Sequence, residues 1–270
     1  MNSLQVIWLQ ASSCTGCTIS VLNSSSFKIN NLLLDEIVPG HNICLLFQPT
    51  IMAGSGEKAI EVLKQQQTKK DFFLVVEGSI PSKDQGIYGR VGEKTLLQWF
   101  QELASAASAI ISLGTCSCFG GIFAASPNPA GCISVKQACE KFNIKKPLIN
   151  IPGCPPHPDW FIGTIVHLLN KGFPLLDDLS RPLDFYGKLI HENCPRRPFF
   201  DKGKFAYRFG EEGCLYLLGC KGPFTNADCP LRQWNGGTNW LIKNGAPCFG
   251  CVESDFPDKM VPFFEKLKKD

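Results

Sequence analysis

The sequence predicts an α/β fold: a doubly wound parallel sheet over the first two thirds of the chain, then a stretch with little regular structure. Three observations carry this. Five short, apolar, β-rich runs alternate with segments of helical pattern up to about residue 180. From about residue 185 glycine, proline, aromatic residues and cysteine dominate, and neither a period of 2 nor one of 3.6 persists. The chain has 270 residues, 44 % of them hydrophobic, which is enough to bury a sizeable core.

The elements follow in order. Strands are predicted at 6–10, 43–48, 72–77, 109–114 and 148–151, and helices at 57–66, 93–103, 134–141 and 159–169. Continuous apolar strands separated by helices argue for a parallel sheet covered on both faces, and five of them suggest flavodoxin-like winding. Leu179-Ser180-Arg181-Pro182 marks the boundary, giving domains 1–182 and 183–270. The second domain cannot be organised by a hydrophobic core alone, and bound metal clusters are the natural organiser.

Charge excludes several classes. Twenty-seven basic and 24 acidic residues leave +3, too little for a polyanion-binding or membrane-surface protein, so no nucleic acid is expected as partner. No apolar run reaches about 18 residues, so no transmembrane segment is expected. No basic or twin-arginine leader is visible, which reads as cytoplasmic; a trimmed leader would make the protein periplasmic or otherwise extracytoplasmic.

The anomaly is fourteen cysteines. A disulfide-stapled secreted domain is usually short and poor in core, which this chain is not. Zinc takes closed sets of four, whereas iron–sulfur clusters also tolerate scattered thiolates and an occasional histidine. Spacing arbitrates. Cys14 and Cys17 follow the first predicted strand, Cys116 the fourth and Cys154 the fifth. In a doubly wound sheet all three loops leave the carboxyl edge, so four thiolates converge there from distant positions. In the second domain His191 and Cys194 are followed by Cys214, Cys220, Cys229, Cys248 and Cys251. These seven divide as four plus three. Three thiolates alone suit a three-iron cluster, whereas zinc would want a fourth ligand.

These residues carry a family resemblance. Trp8-Leu9-Gln10 through Cys14-Thr15-Gly16-Cys17, Val76-Glu77-Gly78-Ser79, Leu113-Gly114-Thr115-Cys116 and Pro152-Gly153-Cys154-Pro155-Pro156-His157-Pro158 are followed by His191-Glu192-Asn193-Cys194, Leu218-Gly219-Cys220-Lys221, Asp228-Cys229 and Pro247-Cys248-Phe249-Gly250-Cys251. In that order they resemble the small, electron-transferring subunit of a nickel–iron hydrogenase, from about residue 6 to 264. The resemblance implies an oxidoreductase acting on hydrogen, with this chain as the wire. It implies a proximal 4Fe-4S cluster on Cys14, Cys17, Cys116 and Cys154, and a distal 4Fe-4S cluster on His191, Cys194, Cys214 and Cys220. A medial 3Fe-4S cluster would take Cys229, Cys248 and Cys251. The nickel–iron centre would sit on a separate large subunit in an obligate heterodimer, alone or as a dimer of heterodimers. Electrons would pass to an external redox partner such as a cytochrome, ferredoxin or flavin subunit. A hydrogen-sensing regulatory hydrogenase and a non-redox zinc-stapled scaffold are the alternatives.

Finer features bear on subtype. Ser20-Val21-Leu22-Asn23, Gly236-Gly237-Thr238-Asn239-Trp240 and the run after Cys251 resemble the nickel–iron–selenium branch. That branch commonly places a cysteine after the Asn-Trp pair; here it is Leu241, hence the expected three-iron medial site. Oxygen-tolerant relatives carry extra cysteines at positions that are Gly16 and Gly121 here, so an oxygen-sensitive proximal cluster is expected, with Cys118 as the rival extra ligand. Cys44 is expected in the core; Cys132 and Cys139, seven apart, are read on one helical face. Glu77 is either a solvated loop residue or a partner for backbone beside the cluster or for the other subunit, and His157 is structural. The basic tail Lys266-Leu267-Lys268-Lys269-Asp270 is read as a solvated end, with a cationic patch that steers an acidic redox partner as the alternative.

Overall fold

A computed structural model of the chain describes residues 2–26, 31 and 39–264; the basic tail lies outside them. The chain opens with β1 (Asn2–Gln10) and α1 (Gly16–Leu22), followed by β2 (His41–Phe47), α2 (Gly56–Gln66) and β3 (Phe73–Glu77). Then come α3 (Leu96–Ala106), β4 (Ala109–Leu113), the short α4 (Thr115–Phe119), α5 (Val135–Lys141), β5 (Leu148–Ile151) and α6 (Pro158–Lys171). The five strands are all parallel and lie in the order β2-β1-β3-β4-β5, the flavodoxin-like winding expected from the sequence.

Alternation along each strand explains why the runs read as continuously apolar. Val6, Trp8, Val75, Ile111 and Ile149 enter one core with Trp160 and Phe161 of α6. Ile7, Leu9, Leu74, Val76 and Ile110 enter the other with Leu63, Trp99, Phe100 and Leu103 of α2 and α3. Side chains point to opposite faces with period 2, so a sheet covered twice needs apolar residues at every position.

One helix starts later than predicted. Residues 93–95 do not open α3, because Arg90–Val91 pairs with Lys94–Thr95 in a small antiparallel hairpin. Thr95 then caps the helix: its Oγ1 accepts the Gln98 amide at 3.2 Å, and Gln98 Oε1 accepts the Thr95 amide at 2.8 Å.

After residue 182 the described chain holds short helices, Leu183–Tyr186, Arg197–Asp201 and Cys229–Arg232, single 3₁₀ turns and isolated bridges. Its apolar residues Tyr186, Ile190, Leu215, Trp240 and Val252 join the Trp160 core. Buried Arg181 ties the two regions, donating to Asp177 at 2.8 Å and to Glu253 at 3.1 Å.

Two cysteines differ from expectation. Cys44 is exposed, because β2 is the edge strand of the sheet. Cys132 and Cys139 do not share a helix: Cys132 lies in a two-residue strand paired with Ile80–Pro81, and Ser134 caps α5 after it.

Fully buried Ile111 stands between Val75 and Ile149 in the centre of the sheet. Ile111→Ala should lower the unfolding free energy by about 2–5 kcal/mol, read as a fall in the urea midpoint by circular dichroism.

Candidate metal centres

The carboxyl ends of the strands position the first ligand set. β1 runs into the turn holding Cys14 and then α1 holding Cys17; β4 runs into α4 holding Cys116; β5 ends three residues before Cys154. Gly114 has φ +89°, and a Cβ there would stand 2.4 Å from Cys17 Sγ, so only glycine lets the β4 loop close on that thiol. A Cβ on Gly121 would stand 2.7 Å from Cys116 Sγ, which leaves no room for an additional cysteine at that position.

Electrostatics tie the four together. Burial pushes the Cys17 thiol well up, reinforced by Glu77, Cys116 and Cys14. Cys154 is pushed up to about 11 by burial and then by Cys116 and Cys14. Burial also raises Cys116, against the stabilising backbone N–H groups of Ile122 and Phe123. Such N–H groups are the donors that a metal-bound sulfur needs. Buried Cys118 instead donates to the Ser112 carbonyl at 3.3 Å, back in β4.

Glu77 is fully buried at the end of β3. Its carboxylate accepts from Trp8 Nε1 at 3.0 Å, Gln10 Nε2 at 3.2 Å, Ser13 Oγ at 3.0 Å and the Thr18 amide at 3.3 Å, and also from the Thr18 hydroxyl. It is therefore the partner of the backbone beside Cys14 and Cys17, not a solvated loop residue. His157 is structural. Its Nδ1 accepts the Asp159 amide at 3.1 Å, and its Nε2–H donates to the Gln233 carbonyl at 2.7 Å, holding α6 to the loop after Cys229.

The second segment forms two further sets. His191, Cys194, Cys214 and Cys220 line one tight pocket together with Arg196. Arg196 is held there by backbone carbonyls, donating to Glu211 at 2.9 Å, Gly213 at 2.7 Å and Ile242 at 3.2 Å. Burial and then Arg197 lower the His191 imidazole from its ordinary value, which favours the neutral ring that can ligate. Cys229, Cys248 and Cys251 line a cavity of about 350 Å³ with Cys154, Trp240 and Leu241. Burial pushes Cys248 up to about 12 and Cys251 up to about 11.

The sets touch in sequence. The Cys248 amide donates to Cys220 Sγ at 3.4 Å, and the Lys221 amide to the Cys248 carbonyl at 2.7 Å. The Cys154 amide stabilises the Cys251 thiolate. Among the described residues no three His, Cys, Asp or Glu side chains come close enough to hold a single metal ion. Sulfurs around a lone zinc would stand about 2.3 Å from one centre. Thiols backed by N–H donors, with one imidazole among them, have the donor chemistry that iron–sulfur groups take. Arg196 and Thr115 escaped the reading of the sequence, since no spacing rule singles out a residue beside a ligand.

The chain is similar to known proteins along nearly its whole length. Residues 186–264 match the family defined by the C-terminal part of the NiFe/NiFeSe hydrogenase small subunit, and residues 14–168 match the family of the NADH ubiquinone oxidoreductase 20 Kd subunit. The chain is 45 % identical to the periplasmic NiFeSe hydrogenase small subunit of Desulfomicrobium baculatum, over 96 % of this chain and 86 % of that one. It is 44 % identical to the periplasmic NiFe hydrogenase small subunit of Solidesulfovibrio fructosivorans, over 97 % and 81 %. The structure of the H2-activated Dm. baculatum NiFeSe hydrogenase superposes with a TM-score of 0.91 at 43 % identity, covering 98 % of this chain and 100 % of that one.

Two outcomes follow from the site geometry. Glu77→Ala strands the Trp8 and Thr18 donors, so it should cost about 1–3 kcal/mol and speed alkylation of Cys17 in the metal-free chain, with Glu77→Gln milder. Cys139, pushed up to about 11 by burial and then Glu140, is mostly protonated at neutral pH. At pH 8 only about one part in a thousand is thiolate, so its alkylation should speed up about tenfold per pH unit until near pH 11. A rate flat between pH 8 and 10 would contradict that.

Proposed function

This chain belongs to the small subunits of the NiFe/NiFeSe hydrogenases, and on that premise we propose that three iron–sulfur clusters on eleven of its side chains form the electron relay. The enzyme is an oxidoreductase acting on hydrogen, and this subunit transfers electrons between the large subunit's nickel–iron site and an acceptor. The clusters supply one-electron redox capacity when bound; the protein supplies their spacing and surroundings.

The proximal 4Fe-4S cluster is assigned to Cys14, Cys17, Cys116 and Cys154, supported by the mutual influence of these thiols and the N–H groups facing Cys116. The distal 4Fe-4S cluster is assigned to His191, Cys194, Cys214 and Cys220, which share one pocket. The medial cluster is assigned to Cys229, Cys248 and Cys251. It is read as 3Fe-4S because Leu241 lines the same cavity, with no thiol to offer a fourth iron. The Cys248 amide on Cys220 Sγ, and the Thr115 hydroxyl bonded both to Gly153 beside Cys154 and to the Cys251 carbonyl, support the order proximal, medial, distal.

What the residues do follows from their chemistry. Backbone N–H groups facing the sulfurs, and the neutral His191 in place of a thiolate, make a reduced cluster less costly. Arg196 adds a fixed positive charge at the distal set. Domains are proposed at 1–182 for the proximal cluster and 183–270 for the other two.

The partner large subunit is expected over the proximal edge, where Cys14 is exposed and the apolar side chains of Ile19 and Ile122 reach solvent at 50 % and 54 %. An external cytochrome, ferredoxin or flavin subunit is expected at the distal end, where partly exposed Phe200 lies edge-on to His191 at 4.8 Å. No helix among the described residues is long and apolar enough to cross a membrane. The periplasmic naming of both relatives favours the extracytoplasmic location over the cytoplasmic one.

Anaerobically purified complex should carry about eleven irons on this chain and give an oxidised three-iron EPR signal. Leu241→Cys should abolish that signal and add about one iron. Zinc with little iron, or a three-iron signal untouched by Leu241→Cys, would contradict the assignment.

A further inference from the structure

One hydroxyl sits where the proximal and medial ligand sets meet. Thr115 is 1 % exposed and immediately precedes Cys116. Its Oγ1 accepts the amide of Gly153, the residue before Cys154, at 2.9 Å, and the Thr115 amide donates back to the Gly153 carbonyl at 3.0 Å. The same hydroxyl donates to the carbonyl of Cys251. Thus one side chain is bonded within a residue of Cys116 and Cys154 on one side, and to Cys251 itself on the other.

The loop it holds has little slack. Gly153 has φ +151°, and a Cβ there would stand 2.4 Å from Pro156 Cα. A threonine filling a gap in the core would need one acceptor anywhere. This one uses both its donor and its acceptor capacity on the two segments that a relay must keep at fixed separation. Groups that orient ligands in this way control the behaviour of the metal centre beyond it.

We propose that Thr115 is a positioning residue, holding the Cys116–Cys154 set against the Cys251 set and so fixing the rate at which an electron crosses between them. This rests on the relay reading above. Electron tunnelling falls exponentially with the gap between centres, so a clamp on that gap controls the rate without touching either cluster.

The test uses the intact complex, purified anaerobically, with Thr115→Val removing the hydroxyl at nearly constant volume and Thr115→Ser retaining it. Two readouts serve: the magnetic interaction between the proximal and medial EPR signals, and the electron-transfer rate between them after a light-triggered potential jump. Thr115→Val should weaken the interaction and slow transfer about tenfold, and Thr115→Ser should restore both. If Thr115→Val loses proximal iron, the hydroxyl serves assembly of that site rather than the gap between the two, and the proposal is overturned. The proposal is overturned if Thr115→Val matches the wild type, or if Thr115→Ser is as impaired as Thr115→Val. A wild-type complex without iron–sulfur EPR signals would instead overturn the relay reading itself.

Discussion

The in-register pairing of four parallel strands decides where everything else stands. Gln10 pairs with Glu77, Glu77 with Leu113, and Leu113 with Ile151, so the carboxyl ends of β1, β3, β4 and β5 form one row across the sheet. Parallel strands start and stop together, and every loop after them opens on the same edge. Cys14, Cys17, Cys116 and Cys154 meet because of that row, not because of any local motif. A slip of one residue in β4 would turn Ile111 and its neighbours out of their cores and carry Cys116 away with them.

That edge concentrates thiols, and thiols close together in a low-dielectric setting resist ionisation. Burial is the largest influence on Cys17, Cys116 and Cys154, and neighbouring negative groups add to it. Without metal, burial therefore favours the protonated form of Cys17, Cys116 and Cys154. Binding releases their protons, so assembly of such a site gains from rising pH. Glu77 contributes differently. As a carboxylate fully within the protein it must be hydrogen-bonded, and the donors it collects are those flanking Cys14 and Cys17.

The second segment shows what happens when regular structure is scarce. It adds Tyr186, Ile190 and Trp240 to a core begun by the sheet and α6, and it is fastened by polar contacts. Arg181 reaches Glu253, His157 reaches the Gln233 carbonyl, and the Trp160 indole donates to Asp228 at 2.7 Å, next to Cys229. Each fastening ends near a cysteine, so the apolar core and the ligand sets are built by the same contacts.

Alternation, turn residues and cysteine spacing made much of this legible. The five strands and their winding follow from local composition, because a doubly covered sheet demands apolar residues at every strand position. The eleven candidate ligands follow from their types and order. Local signals placed the start of α3 three residues early, since the pairing of Arg90–Val91 with Lys94–Thr95 competes with the helix. They also put Cys44 in the core, although a strand's place at the sheet edge is not written in its own residues. Only the tertiary structure brought out Glu77 as a buried anchor, Arg196 beside the distal set and Thr115 between two sets. Each of these roles depends on groups distant in the chain meeting at hydrogen-bonding distance, and that is a property of the packed fold rather than of any window of sequence.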